Sequence, residues 1–164
     1  MPVSTTDPVP EPDPLVVGWR EWVSLPQAEV SWVKAKIDTG ARSSAIHAFG
    51  VEVERVGDED WVRFSIHPWQ RSDEDVAELR LPVLDRREVR SSNGQIEERY
   101  AVALDVTLAG RTLTTVMTLS NRDEMGFRLL IGREALERGF LVDAAQSYVG
   151  GRPRRVVRRK NWGR

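Results

Sequence analysis

The residues best suited to chemistry in this sequence are an acidic loop at 37–41 and an apolar segment at 129–133. Ile37-Asp38-Thr39-Gly40-Ala41 places a carboxylate directly after a strand-like run, with a small hydroxyl residue and a glycine behind it. Such a loop is tight, so its neighbours can hold the carboxylate rigidly. The second segment, Leu129-Leu130-Ile131-Gly132-Arg133, predicts a buried strand that stops where a short helix begins.

The chemistry that a rigid carboxylate supports is general acid–base catalysis of hydrolysis. Cleaving a peptide bond without a metal or a nucleophilic side chain needs one group to activate water and another to protonate the leaving amine, and two carboxylates sharing one proton supply both. The chain contains one Asp-Thr-Gly and no internal duplication of it. A working pair therefore requires two chains, each presenting Asp38. The alternative is a turn aspartate that bonds only its own backbone.

In their order along the chain, the two segments resemble the retropepsin-like aspartic proteases, whose active-site loop is Asp-Thr-Gly-Ala and whose closing segment ends in Gly-Arg. Residues 33–48, 89–99 and 121–128 are similar to one bacterial branch of that clan, often called ATP-dependent zinc proteases. This branch is associated with ATP-grasp ligases that add glutamates to ribosomal protein. The resemblance covers 17–147 and implies a homodimeric aspartic endopeptidase with a functional link to such a ligase.

The resemblance also implies a role for each residue of the loop. Asp38 is the expected catalytic carboxylate, and the Thr39 hydroxyl braces the two loops across the dimer axis. Gly40 lets the substrate backbone approach, because it has no side chain to obstruct it. Ala41 and Arg133 are expected to contact substrate, although Arg133 has the structural alternative of pairing with Glu134 or Glu97.

By the same resemblance, the hairpin that precedes the strand at 100–108 is a mobile flap over the site. Ser91, Ser92, Asn93 and Gly94 are assigned to its tip, where closure would exclude water and contact the substrate backbone. Asn93-Gly94 is the pair best suited to a two-residue type I′ turn. The alternative is an ordinary surface hairpin.

One position departs from the retropepsin pattern in a way that bears on substrate. Retropepsins usually carry an acidic residue directly after Asp-Thr-Gly-Ala, whereas this chain has Arg42. A cation there favours acidic groups in the cleft and rejects basic ones. Arg90, Arg99, Arg128 and Arg133 are expected to add to the same field. We therefore predict acidic peptides, including glutamate-extended tails, as substrates.

Composition limits the other classes of function. The chain has 164 residues, 24 basic and 25 acidic side chains, and no cysteine, which excludes disulfides and thiolate zinc sites. His47 and His67 do not form a His-Glu-x-x-His motif, and no glycine-rich nucleotide loop is present, so we predict neither a metal nor another cofactor. Both histidines are expected to pack within strands. Without a signal peptide or a long apolar run, we expect a cytoplasmic protein with no membrane partner.

The hydrophobic pattern predicts a mostly β protein, a closed or nearly closed small barrel with one short helix. The resemblance implies that this is the retropepsin-like closed β-barrel, with the short helix near its C-terminus. In the strand at 30–37, apolar residues alternate with Lys34 and Lys36, which predicts an apolar inner face with both lysines outside. The helix is predicted at 132–138, with Gly139 ending it. The other predicted strands are 16–24, 45–56, 61–67, 79–84, 87–92, 95–99, 100–108, 112–119 and 141–143.

The two ends of the chain differ in composition from the predicted domain at 15–150. Residues 1–14 hold five of the nine prolines and are expected to be a disordered leader. Residues 151–164 hold seven basic and no acidic side chains and are predicted to be a solvated basic tail. Such a tail also suits phosphate contact. It supports a rival function, a catalytically idle β-module that docks on ribosome, RNA or an acidic protein; nucleic acid is the less favoured partner.

Overall fold

The computed structural model describes residues 13–90, 94–121 and 126–161. Three predicted flap residues, Ser91, Ser92 and Asn93, lie outside the described residues. Short 3-10 helices form at Pro26–Ala28 and Val157–Asn161. The strands and the α-helix are β1 (Leu15–Gly18), β2 (Arg20–Leu25), β3 (Val30–Ile37), β4 (Ser44–His47), β5 (Phe49–Val56), β6 (Glu59–Ile66), β7 (Ala77–Pro82), β8 (Asp85–Arg90), β9 (Ile96–Leu108), β10 (Arg111–Ser120), β11 (Leu129–Ile131), α1 (Arg133–Leu136) and β12 (Phe140–Asp143).

Six strands close into a barrel. They pair in the order β10, β4, β11, β3, β2 and β9, and the pairing of β9 with β10 completes the ring. β8 extends the sheet beyond β9, β5 to β7 form a separate antiparallel sheet, and β1 pairs in parallel with β12. The predicted fold class, a closed retropepsin-like β-barrel with one short C-terminal helix, is confirmed.

The barrel core is built by the period-2 pattern of the strands. Val33, Ala35 and Ile37 on β3 are buried, as their alternation predicts, and Leu104 and Val106 are buried on β9. Each large apolar side chain removed from water contributes about 1.5–3 kcal/mol, so this alternation fixes which face of each strand points inward.

The prediction that both lysines of β3 lie on an open outer face is wrong for Lys34, which is only 7% exposed. Trp22 lies opposite Lys34 in the β2–β3 register, and Tyr148 packs beside it. The Lys34 Nζ lies 5.6 Å from each of the two ring centroids. An alternation pattern identifies the two faces of a strand, but it does not show that a second layer covers the outer one.

Several element boundaries also differ from prediction. The strand at 16–24 breaks at Trp19, because β1 pairs with β12 while β2 pairs with β3. A side chain at Gly18 would meet the Gln146 carbonyl oxygen at 2.4 Å, so only glycine fits where the chain changes partner. The strand at 45–56 divides between β4 and β5. The α-helix covers Arg133–Leu136 only, and Gly139 follows it with φ +112°.

The hairpin of β8 and β9 is present, but its register disagrees with the predicted turn. Arg90 pairs with Ile96. A two-residue Asn93-Gly94 turn would instead place Arg90 opposite Glu97. The described register leaves five residues between the paired ends, so it does not fit the simple type I′ hairpin.

A buried carboxylate connects the start of the barrel to the C-terminal segment. Glu21 is fully buried, and its oxygens accept backbone N–H bonds from Gly18 at 2.9 Å, Val149 at 2.9 Å and Gly150 at 2.8 Å. Three bonds to one charged acceptor compensate for its removal from water. We call this arrangement the Glu21 clamp.

We expect Glu21→Gln to destabilise the fold. The amide keeps one acceptor oxygen and turns an NH₂ group toward a backbone N–H, so at least one buried donor loses its acceptor, at a cost of about 1–3 kcal/mol in unfolding free energy. Urea denaturation would measure this. Glu52→Gln, at an exposed position of β5, is the control and should leave the midpoint unchanged. If Glu21→Gln unfolded at the same urea concentration as the wild-type protein, the proposed contribution of the Glu21 clamp to stability would be wrong.

Candidate active site

The structure joins the two segments that the sequence singled out. β11 lies between β3 and β4, parallel to the first and antiparallel to the second. At the end of β3, the Asp38 N–H donates to the Ile131 carbonyl oxygen at 2.8 Å. The acidic loop therefore begins where β11 ends, and its first peptide is part of the barrel's hydrogen-bond network.

The two oxygens of the Asp38 carboxylate have different surroundings. Oδ1 accepts from the Gly40 N–H at 2.9 Å and the Ala41 N–H at 3.2 Å. Oδ2 lies 4.0 Å from the Lys36 Nζ, and the Asp38 side chain is 26% exposed. The turn-aspartate alternative thus describes Oδ1 accurately. The same two bonds also orient the carboxylate, which a catalytic group requires.

The tip of the loop is exposed. Thr39 and Gly40 both lie at the surface. A Cβ atom on Gly40 would sit 3.2 Å from the Asp38 Oδ1, so a side chain there would press against the carboxylate. The absence of a side chain thus protects the carboxylate's position as well as leaving room above the loop.

Gly132 fastens the closing segment to the acidic loop. A Cβ atom on Gly132 would lie 2.5 Å from the Ser43 carbonyl oxygen and 2.9 Å from that of Ala41, which no real side chain tolerates. Its N–H donates to the buried Ser44 Oγ at 3.0 Å. The Arg133 N–H then donates to the Ala41 oxygen at 2.8 Å. The backbone of the loop is thus held from below by a peptide run that has no room for a side chain.

The two predicted specificity arginines differ in their contacts. The Arg42 Nε lies 2.9 Å from the Glu134 Oε1, in a pair whose side chains are 82% and 45% exposed. An exposed pair of this kind contributes about 0.2–1 kcal/mol. Arg133 is exposed, and among the described residues it forms no ion pair, since Glu134 pairs with Arg42 and Glu97 with Arg99. The structural alternative for Arg133 is therefore not adopted.

Arg128 was expected to add to the cleft field but has a structural position. It is buried, and its guanidinium donates to the Trp69 carbonyl oxygen at 2.7 Å and to the Asp73 Oδ1 at 2.8 Å. The hydrogen bond from Arg128 lowers the pKa of Asp73. This arginine holds the loop at 69–73 against the barrel. Arg99 pairs with Glu97 at 3.4 Å, and the Arg90 side chain lies outside the described part.

Both histidines pack within the protein. His47 is buried on β4, and the His67 ring stacks on Phe49 with centroids 4.3 Å apart and its Nδ1 3.1 Å from the Asp75 carbonyl oxygen. Within 13–90, 94–121 and 126–161, no group of three or more His, Cys, Asp or Glu side chains is arranged to hold a metal ion. In the same ranges, no helix has the length and apolarity needed to span a bilayer.

The described end of the predicted flap stands beside β5. Glu97, Glu98 and Tyr100 face residues 49–51 across a cavity of 440 Å³, and Gly94 has φ +82°. A larger cavity of 660 Å³ lies elsewhere, between Trp32 and the loop at 68–77. Neither cavity is lined by residues 38–42.

Three residues near Asp38 were not assigned from sequence. Lys36 faces the carboxylate, Ser44 accepts from the Gly132 N–H, and Glu134 pairs with Arg42. Lys36 had a detectable signal, since it lies two positions before Asp38 on a strand and therefore on the same face. Ser44 and Glu134 had none, because their partners are 88 and 92 residues away.

Comparison with known proteins gives a family match over most of the chain. A family model described as RimB-like, retropepsin-like aspartic endopeptidase RimB, matches residues 16–153. The structure is also similar to the crystal structure of a protein of unknown function from Legionella pneumophila, with a TM-score of 0.71, 22% identity, and coverage of 83% of this chain and 98% of that one. At that identity the likeness concerns the fold.

Curated relatives are much longer proteins. A probable alpha-L-glutamate ligase of Shewanella halifaxensis is 41% identical over 136 residues, which are 83% of this chain and 30% of the relative. A protein of the same description from Desulfotalea psychrophila is 36% identical over 130 residues, 79% of this chain and 28% of the relative. The chain thus spans less than a third of the curated relatives that it matches.

We expect Gly132→Ala to damage both stability and the site. The added methyl group meets two carbonyl oxygens of the acidic loop, and forced overpacking of this kind costs about 1–3 kcal/mol. Urea unfolding and peptide hydrolysis would be measured together. The control, Gly57→Ala, has open space around its Cβ but φ +61°, so it should lose some stability without losing activity per folded molecule. Full activity in a stable Gly132→Ala protein would contradict this account.

Proposed function

Because the chain belongs to the RimB-like family of retropepsin-like aspartic endopeptidases, we propose that it hydrolyses peptide bonds as a homodimer with one Asp38 from each chain. The observation that carries the proposal is the Asp38 loop. One carboxylate oxygen is held by two loop N–H groups, and the loop itself is anchored by β11. A carboxylate fixed in this way needs only a second acidic group to perform acid–base catalysis.

The second acidic group is proposed to come from a second copy of the chain. Thr39 and Gly40 form an exposed tip next to Asp38, which is the surface that a twofold-related loop would cover. In that arrangement the Thr39 hydroxyl braces the partner loop. Neither cavity described above includes residues 38–42, so a single chain does not enclose Asp38 in either of them. In the proposed dimer, the second chain would supply the missing wall of the substrate cleft.

The proposed reaction uses two states of the paired carboxylates. Like charges about 3 Å apart cannot both ionise, so one carboxyl is protonated and the other is not. The ionised group takes a proton from water, and the water oxygen bonds to the peptide carbon. The protonated group donates to the carbonyl oxygen, and a proton then passes to the nitrogen as the C–N bond breaks.

The remaining predicted residues are proposed to position substrate. Ala41 and Arg133 border the loop, and the hairpin that ends at Gly94 would close over an extended peptide. Closure of this kind excludes water from the reacting bond. Ser91, Ser92 and Asn93, which complete the proposed flap tip, belong to the part of the chain that the structure does not describe.

An acidic substrate is proposed from the charges around the loop. Lys36 faces the Asp38 carboxylate, and Arg42 stands at the position where retropepsins usually carry an acid. The curated relatives are described as probable alpha-L-glutamate ligases. A functional link between this chain and a ligase of that kind would make the glutamate-containing product of the ligase a substrate of the proposed peptidase.

The catalytic proposal is tested by Asp38→Asn. Because an amide neither takes up nor releases the catalytic proton, we expect hydrolysis to fall at least about a thousandfold, while the fold and the oligomeric state persist. The matched control is Asp143→Asn, since the Asp143 Oδ1 likewise accepts a backbone N–H, from Ala145 at 2.9 Å. Cleavage should survive in the control. A monomeric protein, or an active Asp38→Asn protein, would refute the shared pair.

The specificity proposal is tested by Arg42→Glu. The substitution removes the cation and places a second carboxylate beside Glu134. The preference in kcat/KM for an acidic over a neutral peptide should therefore fall about fivefold, the ratio expected when an exposed charge contributes ~1 kcal/mol. Arg55→Glu, an exposed arginine of β5, is the control. An unchanged preference in Arg42→Glu would remove this residue from substrate selection.

A further inference from the structure

A second cationic feature lies on the outer face of β2 and β3. A cavity of 440 Å³ opens there, and five basic side chains line it: Arg20, Lys34, Arg71, Arg152 and Arg158. No acidic residue is among the described residues that line this cavity. Its volume is within the range of small-ligand sites. We call it the basic cavity.

Aromatic rings hold two of the positive charges of the basic cavity in place, those of Arg20 and Lys34. The Arg20 guanidinium lies 4.7 Å from the Trp19 ring centroid and 4.8 Å from that of Tyr148, and its Nε donates to the Ser147 Oγ at 3.1 Å. Lys34 lies near the same tyrosine. Cation–π contacts of this kind stabilise a cation without neutralising it. These contacts hold both cations against the wall of the cavity.

The Glu21 clamp assembles this wall. Its bonds to the Val149 and Gly150 N–H groups hold the segment that carries Tyr148, and the Tyr148 N–H itself donates to the Arg20 carbonyl oxygen at 2.9 Å. The Glu21 carboxylate is thus committed to backbone donors. The cavity is a built feature of the fold, since β2 and the C-terminal segment are fixed together.

Gln70 also lines the basic cavity, next to Arg71. A peptide with carboxylate side chains suits this lining, since its carboxylates accept hydrogen bonds from arginine and its backbone offers both donors and acceptors to an amide side chain.

The basic cavity lies on the same strand face as Asp38. Lys34, Lys36 and Asp38 occupy alternate positions of one strand and its end, and Arg20 is opposite Lys36 in the register. The Lys36 Nζ is 4.0 Å from the Asp38 Oδ2. Lys34 is four residues from Asp38, or ~13 Å at about 3.3 Å per residue. An extended peptide covers that distance in the same number of residues.

We propose that the basic cavity is a binding subsite for acidic side chains of a peptide, located two to four residues from the bond that Asp38 cleaves. This inference rests on the proposed endopeptidase function for the position of the bond, but the binding itself does not depend on catalysis. It makes Arg152 and Arg158 specificity residues and gives the C-terminal segment a role in substrate recognition, separate from that of Arg42.

Binding is tested in the Asp38→Asn protein, which should not consume the probe. The probes are fluorescein-labelled tetraglutamate and tetraglutamine peptides, followed by anisotropy. Arg152→Gln with Arg158→Gln should weaken tetraglutamate binding at least about tenfold, because two charged contacts are lost. Arg154→Gln with Arg155→Gln is the matched control: it removes the same charge from the same segment, at exposed positions outside the cavity, and should change binding less than twofold.

Three results would overturn the subsite. They are equal weakening by the control pair, equal binding of tetraglutamine, or tighter binding of a single-stranded RNA 12-mer that the cavity variants abolish, which would assign the site to phosphates. Tetraglutamate binding without any cleavage by the wild-type protein would support the subsite and reject the proposed function. Cleavage of acidic peptides with a KM that the cavity variants leave unchanged would support the proposed function and reject the subsite.

Discussion

The insertion of β11 between β3 and β4 is the constraint on which the site depends. It places the Ile131 carbonyl oxygen under the Asp38 N–H and leaves Gly132 so close to the loop that a methyl group does not fit. Those contacts are backbone to backbone, and they turn a three-residue turn into a fixed support for one carboxylate. The position of the loop is therefore set mainly by the backbone, and the side chains around Asp38 contribute charge and hydrogen bonds.

Charge in this protein is arranged in two tiers on the outer face of the barrel. Close to Asp38 are Lys36 and the Arg42–Glu134 pair, which are exposed and therefore weak in energy but near the proposed reaction. Further along β3 is the basic cavity, where aromatic rings and the Glu21 clamp hold cations in place. The proposed endopeptidase would then recognise acidity at two distances from the bond that it cleaves.

Sequence was a good guide wherever a short local rule applied. Period-2 alternation located the inner faces of the strands, and the order of two motifs correctly predicted the barrel and its short helix. Sequence failed where the deciding partner is remote. Lys34 looks like a solvent-facing residue until residues near 148 are known to cross over it, and Arg128 looks like a cleft cation until the loop at 69–73 accepts its bonds. The break at Trp19 follows from the change of strand partner from β12 to β3, which no local pattern encodes.

The parallel pairing of β11 with β3 has a consequence for how the protein comes into being. Loop closure between segments this distant is slow, since chain entropy is lost before any contact repays it. During synthesis, the acidic loop leaves the ribosome long before its support does. Until β11 has docked, the Asp38 peptide lacks its anchor, so a growing chain carries the proposed catalytic residue without the support that its proposed chemistry requires.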